Sequence, residues 1–157
     1  MSQALNILQG GKAVDDRGFV SFVNEFNFDD VKRFYQVVNH NNAFIRAWHG
    51  HISEAKYVYV PSGAAIVGAV KMSDEYLLKI NNGERVTDFS TMKAERFIIS
   101  SANPCVLYIP PGYFNGFMNL KENTVIQFFS NKTLEESLLD DIRLSYDTWN
   151  IWDIENR

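Results

Sequence analysis

Cysteine is almost missing from this chain, which has one, Cys105, among its 157 residues. A single cysteine forms no disulfide within the chain, so a disulfide-stabilised secreted fold is excluded and a reducing, cytoplasmic setting is expected. Cys105 begins an apolar run, where a thiol is expected to be a small core residue rather than a nucleophile.

The sequence also lacks apolar stretches long enough to cross a membrane and lacks clusters of lysine and arginine. Its first residues have neither the basic start nor the apolar stretch of a signal peptide. The formal net charge of -4 argues against a nucleic acid held through its phosphates. We therefore expect a cytoplasmic protein that has neither a membrane nor a nucleic acid as its partner.

Apolar and aromatic residues, by contrast, are plentiful. Hydrophobic residues make up 46% of the chain and aromatic residues 14%, which is typical of a folded protein with a sizeable core. The length predicts one domain that spans residues 1–157. Short apolar or alternating runs predict strands at residues 19–23, 33–38, 44–48, 56–60, 64–70, 96–100, 106–109, 114–120 and 125–129.

Turn-forming residues separate these runs at short intervals, and no long helical pattern lies between them. This spacing predicts an all-β sandwich or barrel rather than alternating strands and helices. Residues 73–93 are open to two interpretations. In one, Asn82-Gly83 closes a hairpin; in the other, the stretch is an insertion that covers one mouth of the barrel.

A short helix is predicted near the C-terminus. Thr133 is a capping residue with two glutamates in the turn that follows, and apolar residues continue at helical spacing up to Ile142. The tail then carries Tyr146, Trp149, Ile151 and Trp152. Large aromatic side chains are costly to leave in water, so we expect the tail to pack against the domain or against a second subunit.

Two histidines, His49 and His51, flank Gly50 at the end of an apolar predicted strand. Residues i and i+2 of a strand face the same side, so both imidazoles can point into one cavity. Three interpretations are open at this point: a pair of metal ligands, a general base with a partner, or two polar residues at a strand end without a chemical role.

The histidines belong to a longer pattern. Together, His49-Gly50-His51 and the segment from Pro110 to Asn119 resemble the two motifs of the cupin superfamily, which implies a double-stranded β-helix, the jelly-roll cupin barrel. The second segment matches Pro-x-Gly-x-x-His-x-x-x-Asn except at Asn115, which stands where a metal-binding histidine would be. Glu54 also comes one residue earlier than the acidic ligand of the first motif. Since asparagine is a poor ligand for transition metals, we expect no metal and no cofactor.

Among metal-free cupins, the chain resembles the RmlC-like nucleotide-sugar epimerases, typified by the dTDP-4-dehydrorhamnose 3,5-epimerases. The segments that carry the resemblance follow the chain in order: Asp16-Arg17-Gly18-Phe19, Ile45-Arg46-Ala47-Trp48-His49, Lys56-Tyr57-Val58, Leu107-Tyr108-Ile109-Pro110-Pro111-Gly112 and Asp140-Asp141. The resemblance implies an isomerase that transfers protons next to the ketone of a dTDP-4-keto-6-deoxyhexose, in surface polysaccharide or deoxysugar biosynthesis.

Carried over residue by residue, this resemblance implies three catalytic roles. His49 would remove the proton next to the ketone, Asp141 would orient His49 and stabilise its charge, and Lys56 would stabilise the enolate oxygen.

It also implies a binding surface for the substrate. Arg17 and Arg46 would hold the diphosphate, since arginine pairs with phosphate through several fixed donors. Phe19 and Trp48 are candidates for stacking on the nucleotide base, and Asn115 is a candidate substrate contact.

A related family, the dTDP-4-keto-6-deoxyglucose 3,4-ketoisomerases, resembles the segments Val31-Lys32-Arg33-Phe34-Tyr35 and Arg46-Ala47-Trp48-His49-Gly50-His51. This resemblance implies that His49 and His51 shuttle a proton between C3 and C4, with Tyr35 and Arg46 lining the site. The 3,5-epimerases carry a tyrosine just beyond the late strand that returns a proton to the opposite face of the ring. Residues 130–134 contain no tyrosine, and the chain also lacks the Tyr-Tyr pair that follows the last strand of the ketoisomerases.

The sequence therefore leaves three hypotheses. The first is a metal-independent isomerase of a nucleotide-diphospho-sugar, 3,5-epimerase-like or, alternatively, a 3,4-ketoisomerase. The second is a non-catalytic sugar-binding cupin that kept the pocket. The third is a weakly metal-dependent cupin. The resemblance also implies a homodimer, whose interface the aromatic tail would suit.

Overall fold

Strands dominate the computed structural model, which describes residues 4–157. Within these residues there are twelve strands and two helices. In chain order they are β1 (Asn6–Gln9), β2 (Gly11–Asp15), β3 (Gly18–Phe22), β4 (Arg33–Val37), β5 (Ile45–His51), β6 (Lys56–Ser62), β7 (Ala64–Lys71), α1 (Asp74–Asn81), β8 (Ala94–Ser100), β9 (Cys105–Ile109), β10 (Tyr113–Asn119), β11 (Val125–Ser130), α2 (Leu134–Leu138) and β12 (Ile142–Arg143). Each of the nine predicted strands is present, as β3 to β11.

Ten of these strands form two antiparallel sheets of five. The first sheet has the order β1-β9-β6-β11-β4 and the second the order β12-β5-β10-β7-β8. Strands β2 and β3 pair only with each other, as a separate hairpin. Apart from β7 and β8, no two neighbours in either sheet are consecutive along the chain, as in a jelly roll, so the predicted all-β fold is confirmed.

The two sheets face each other across a shared apolar core. Alternate residues of β6, β9 and β11 from the first sheet meet alternate residues of β7 and β10 from the second. The largest fully buried members are Val58, Val60, Val67, Ile99, Leu107, Ile109, Ile126 and Phe128. Because the side-chain period of a strand is two, the same strands present a second set of residues outward, and those faces need their own cover.

The outer face of the second sheet is covered by α1 and by the C-terminal tail. Trp48, on the outward face of β5, is 0% exposed, and its ring centroid lies 5.4 Å from that of Trp149 and 5.2 Å from that of Trp152. The indole N–H groups of Trp48 and Trp152 donate to the carbonyl oxygen of Tyr146, both at 3.2 Å. The predicted packing of the tail against the domain is therefore confirmed.

Residues 73–93 adopt neither of the two predicted arrangements. Ser73 caps α1 by accepting a hydrogen bond from the backbone N–H of Tyr76 at 3.1 Å, and Tyr76 packs into the outer-face cluster. Gly83 has a φ of 75°, and it follows the end of α1 rather than closing a hairpin. The segment thus covers the outer face of the second sheet, because its apolar residues complete the core built around Trp48.

The predicted C-terminal helix is confirmed as α2, but it is shorter than its apolar pattern indicated. Thr133 accepts a hydrogen bond from the backbone N–H of Glu136, and the Glu136 side chain accepts one from the backbone N–H of Thr133. Ile142 lies beyond the helix in β12, which pairs with β5. No helix among residues 4–157 has the length and apolar character needed to span a membrane.

We predict that Trp152→Ala lowers the free energy of unfolding by about 3–5 kcal/mol, because Trp152 is 4% exposed and its loss opens a cavity beside Trp48. Ile154→Ala is the control: Ile154 is 62% exposed, and the change is expected to stay within about 0.5 kcal/mol. Urea denaturation of the two variants measures the difference. Equal stabilities would show that the tail contributes nothing to the core.

Candidate active site

A cavity of about 240 Å³ lies between the two sheets. Strands β4 and β6 of the first sheet, β5, β10 and β12 of the second, and helix α2 all contribute to it. Ten polar side chains line it, and four of them are cationic. The residues are Arg33, Arg46, Lys56 and Arg143, with Asp141, His49, His51, Tyr35, Asn115 and Ser137, and with apolar Val37, Phe117, Leu134 and Leu138. Four cations against one carboxylate make this cavity suited to an anionic ligand.

Strand β5 presents both histidines to the cavity. His49 and His51 are two residues apart and share its inner face, while Trp48 and Gly50 face outward. The register with β10 shifts between the pairs Asn115–His49 and Phe117–Arg46, so β5 has one extra residue there. Such a bulge changes the direction of a side chain, and here it brings Arg46 to the same face as the histidines.

His49 is held neutral at physiological pH. Burial, together with the charges of Arg143 and Lys56, lowers its pKa to about 4, while Asp141 opposes the shift. Arg143 lies directly opposite His49 in the pairing of β12 with β5. A neutral imidazole next to cations can accept a proton, which is what a general base requires.

His51 is more deeply buried, at 4% exposed, and is held by two acceptors. Its Nδ1 lies 2.7 Å from the main-chain carbonyl oxygen of Asp140 and 3.0 Å from Oε2 of Glu54. Burial lowers the pKa of His51, and the charge of Lys56 lowers it further, against the opposing effect of Glu54. His51 is thus a second neutral imidazole in the same cavity.

The carboxylate of Glu54 lies behind His51 and is itself 2% exposed. It accepts hydrogen bonds from Ser130 Oγ at 2.6 Å and Ser137 Oγ at 2.8 Å, and it pairs with Arg33 at 3.1 Å. Burial alone would raise its pKa, but the charge of Lys56 and these hydrogen bonds hold the pKa below its usual value. Glu54 is therefore ionised at neutral pH.

The wall opposite the histidines comes from the first sheet. The ring of Tyr35 stacks on that of Phe128, with 5.0 Å between the ring centroids. The guanidinium of Arg33 lies 4.8 Å from the centroid of the Tyr35 ring. The ammonium of Lys56 is 5.8 Å from the Tyr35 ring centroid. Lys56 is 7% exposed, so its charge is partly desolvated and acts strongly on groups in the cavity.

The donors in the cavity do not fit a transition metal. Asn115, in the predicted ligand position, donates through Nδ2 to the main-chain carbonyl oxygen of His49 at 3.2 Å. The oxygens of Glu54 are engaged by two serines and an arginine. Among residues 4–157, no group of three or more histidine, cysteine, aspartate or glutamate side chains is arranged to hold a metal ion. The two histidines also face several cations, which would repel a divalent ion.

The structure brings together seven of the ten residues that the sequence assigned to the site: Tyr35, Arg46, His49, His51, Lys56, Asn115 and Asp141. Their individual roles remain predictions. Trp48 is not among them, because its ring is fully buried in the outer-face core and does not line the cavity. Arg17 and Phe19 lie on the β2–β3 hairpin, where Arg17 pairs with Asp15 and Phe19 is 63% exposed, and neither lines the cavity of its own chain.

Sequence reasoning missed Arg143, Arg33 and Ser137 as cavity residues and treated Glu54 only as a displaced metal ligand. The His-x-x-Glu spacing of His51 and Glu54 was a usable signal, since a turn can fold the glutamate back onto the imidazole. The sequence analysis assigned Asp141, and not Asp140, to orient a histidine. In the structure Asp141 accepts a hydrogen bond from Arg143 at 2.8 Å, and Asp140 contacts His51.

We predict that acid weakens the fold partly through His49. The unfolded chain protonates His49 near its ordinary pKa of 6.5, whereas the folded protein does so only near 4. The unfolded state therefore binds more protons in this window, and the free energy of unfolding falls as the pH is lowered from about 6.5 to 4. His49→Gln should reduce this fall, measured by urea denaturation at several pH values.

The exposed His40 provides the matched control, since His40→Gln should leave the pH dependence as in the wild type. Identical curves for His49→Gln and the wild type would contradict the assigned environment of His49.

No protein-family model matches the sequence, and no curated protein matches it significantly. Solved structures do match. The dTDP-4-dehydrorhamnose 3,5-epimerase from Elizabethkingia anophelis is 16% identical, with a TM-score of 0.72 over 98% of this chain and 84% of that one. ChmJ, a 3'-monoepimerase from Streptomyces bikiniensis in complex with dTDP-quinovose, is 13% identical, with a TM-score of 0.68 over 91% of this chain and 70% of that one.

A histidine-to-asparagine variant of the 3,4-ketoisomerase QdtA from Thermoanaerobacterium thermosaccharolyticum, in complex with TDP-4-keto-6-deoxyglucose, is 16% identical. Its TM-score is 0.64 over 94% of this chain and 91% of that one. Three enzymes with different activities thus share this architecture with the chain. At these identities the comparison establishes the fold, and the predicted fold is confirmed: the chain has the RmlC-like cupin fold, a double-stranded β-helix.

Proposed function

We propose that this protein is an isomerase of a dTDP-4-keto-6-deoxyhexose that works by acid/base proton transfer without a metal ion. The observation that carries the proposal is the presence of two neutral histidines, His49 and His51, beside the buried ammonium of Lys56 in one cationic cavity. The similarity of the fold to dTDP-sugar epimerases and ketoisomerases supports the same substrate class.

Proton transfer next to a ketone requires a neutral base and a nearby cation, which the histidines and Lys56 would provide. A proton on the carbon next to a ketone is weakly acidic, so its removal needs a base that is unprotonated at neutral pH. The electron pair left behind moves onto the ketone oxygen, which becomes an enolate. Lys56 would stabilise this negative charge, and its low exposure increases the strength of that interaction.

The remaining cations suit the diphosphate of the nucleotide. Arg46 and Arg143 line the cavity on neighbouring strands β5 and β12, and guanidinium groups pair with phosphate oxygens through several fixed donors. Arg33 is paired with the fully buried carboxylate of Glu54, whereas Arg143 is largely exposed and meets Asp141 only through Nε. We therefore assign the diphosphate to Arg46 and Arg143 rather than to Arg33. Asn115, which has a second amide hydrogen, is left as a candidate sugar contact.

Two forms of the isomerase are supported by different observations. The 3,5-epimerase-like form uses His49 with Asp141 and Lys56, and all three line the cavity together. The 3,4-ketoisomerase form uses His49 and His51 as an acid/base pair, and His51 is anchored by Glu54 within the same cavity. The second form needs no late tyrosine, and residues 130–134 contain none.

We also propose that a homodimer completes the site. Strands β2 and β3 pair only with each other, and Val14, Phe19 and Val20 are 76%, 63% and 65% exposed. An isolated two-stranded hairpin with such apolar exposure needs a partner surface. In a dimer the hairpin would bring Arg17 and Phe19 of a second subunit to the substrate. We expect analytical ultracentrifugation to give a molecular mass of twice 18.0 kDa, and the mass of a monomer would contradict this part of the proposal.

We predict that the protein catalyses exchange of solvent deuterium into dTDP-4-keto-6-deoxyglucose in the presence of EDTA. His49→Ala should reduce the exchange rate by about 10²–10⁴-fold, which is the usual contribution of a general base. His40→Ala, at an exposed site, should leave it unchanged. Proton NMR follows the exchange.

Binding of dTDP gives a second readout. Bound dTDP should raise the melting temperature of both variants. If dTDP binds and no 4-keto nucleotide sugar exchanges, the isomerase proposal is overturned in favour of a non-catalytic sugar-binding protein. Loss of exchange on adding EDTA would overturn metal independence.

The position of the deuterium is predicted to separate the two forms. Label at C4 with the carbonyl moved from C4 to C3 identifies the ketoisomerase, because the proton lost from C3 is replaced by a solvent proton at C4. Label at C3 and C5 with the carbonyl kept at C4 identifies the 3,5-epimerase. His51→Ala should abolish turnover in the ketoisomerase form, because both histidines carry protons there. If label appears at C3 and C5, and His51→Ala retains full activity, the two-histidine mechanism is wrong.

A further inference from the structure

Glu54 is the most completely buried carboxylate near the cavity, yet it does not line it. Its side chain has 0% exposure, so it cannot touch a ligand. Its Oε2 instead lies 3.0 Å from Nδ1 of His51, on the side of the imidazole that faces away from the cavity. A buried charge with no access to solvent or ligand must be compensated by the protein itself, so its partners indicate its role.

Three separate elements hold this carboxylate. Oε1 accepts a hydrogen bond from Ser130 at the end of β11 and pairs with Arg33 at the start of β4, at 2.6 and 3.1 Å. Oε2 accepts from Ser137 of helix α2 at 2.8 Å and faces His51. Each oxygen thus has two partners, which fixes the orientation of the carboxylate relative to the imidazole.

The second acceptor near His51 is equally constrained. Nδ1 lies 2.7 Å from the carbonyl oxygen of Asp140. The side chain of Asp140 accepts hydrogen bonds from the backbone N–H groups of Ile52, Ser53 and Glu54 at 2.8, 2.8 and 3.0 Å, which fixes the loop between β5 and β6. A carbonyl oxygen and an ionised carboxylate can only accept, so Nδ1 of a neutral His51 must carry the proton.

We infer that Glu54 is a positioning residue that fixes the Nδ1–H tautomer of His51, so that Nε2 is unprotonated, and that Ser137 makes helix α2 part of this arrangement. The inference rests on the proposed function for its effect on turnover, but the tautomer is a property of the protein alone. Leu134 and Leu138 of α2 line the cavity, so the helix that meets the ligand is the same helix that anchors Glu54.

Replacing Glu54 with glutamine has a directional consequence. Arg33 can only donate, and it lies with Ser130 at the Oε1 position, so the amide oxygen of Gln would occupy that side. The amide NH2 would then face Nδ1 of His51, and an NH2 group only donates. The imidazole would therefore shift towards the Nε2–H tautomer, with Nδ1 as the acceptor.

The test is long-range proton–nitrogen NMR of the imidazole rings, with the His51 resonances assigned from a His51→Asn variant. The wild type is expected to show the Nδ1–H tautomer, and Glu54→Gln an increased Nε2–H population. In the exchange assay, kcat of Glu54→Gln should fall about 10-fold or more while KM changes little, because a wrong tautomer affects chemistry rather than binding.

Ser137→Ala removes one hydrogen bond to Oε2 and keeps the charge of Glu54. This variant therefore tests the same arrangement if Glu54→Gln fails to fold. It should lower kcat by a smaller factor, and Ser137→Thr, which restores the hydroxyl, should recover it. Leu139→Ala is the matched control just past the end of α2, since Leu139 is 92% exposed and should alter neither tautomer nor rate.

An unchanged Nδ1–H tautomer in Glu54→Gln would overturn the inference, since the Asp140 carbonyl alone would then set it. A tautomer shift in a protein that exchanges no 4-keto sugar would support the positioning role and overturn the proposed function. The two failures are therefore distinguishable.

Discussion

The two-residue period of strand β5 is the constraint on which both the core and the cavity depend. Its outward residue Trp48 packs between Trp149 and Trp152, which fixes the tail and the outer face of the second sheet. Its inward residues His49 and His51 line the cavity. A one-residue slip in register would turn the imidazoles into the outer-face core and the indole into the cavity, so burial of the tryptophan cluster also secures the placement of the histidines.

The electrostatics of the cavity follow from this placement. Two imidazoles sit among four cations at low exposure, so burial and cationic neighbours both act in one direction and keep the histidines neutral. The same cations attract an anionic ligand. A bound diphosphate would partly cancel the cationic charge and so raise the proton affinity of His49, which would make it a stronger base once the ligand is in place.

Much of this arrangement was accessible from sequence, and the exceptions have identifiable causes. Apart from β3, the predicted strands have a face that is at least partly buried, and β3 is exposed but rich in apolar residues. Strands β1 and β2, which were not predicted, are largely exposed and carry little apolar periodicity. Seven site residues were found because they lie in short motifs. The Glu54 network was missed because its serine partners are 76 and 83 residues away in the sequence. A local sequence pattern does not indicate contacts between residues so far apart. Trp48 was misplaced because a motif identifies neighbours in sequence without telling which face each side chain takes.

The departures from the metal-binding cupin pattern are mutually consistent in three dimensions. Asn115, in place of a ligand histidine, donates to the backbone of His49 and so joins β10 to β5 rather than presenting a lone pair to an ion. Glu54, one residue early, turns behind His51 and compensates Arg33 instead of reaching the cavity. Either change alone would leave an incomplete metal site. Together they hold His49 through its backbone and His51 through Nδ1, and they leave the cavity side of both rings available for the proposed proton transfer. They also withhold two of the ligands that a metal site of this pattern would use.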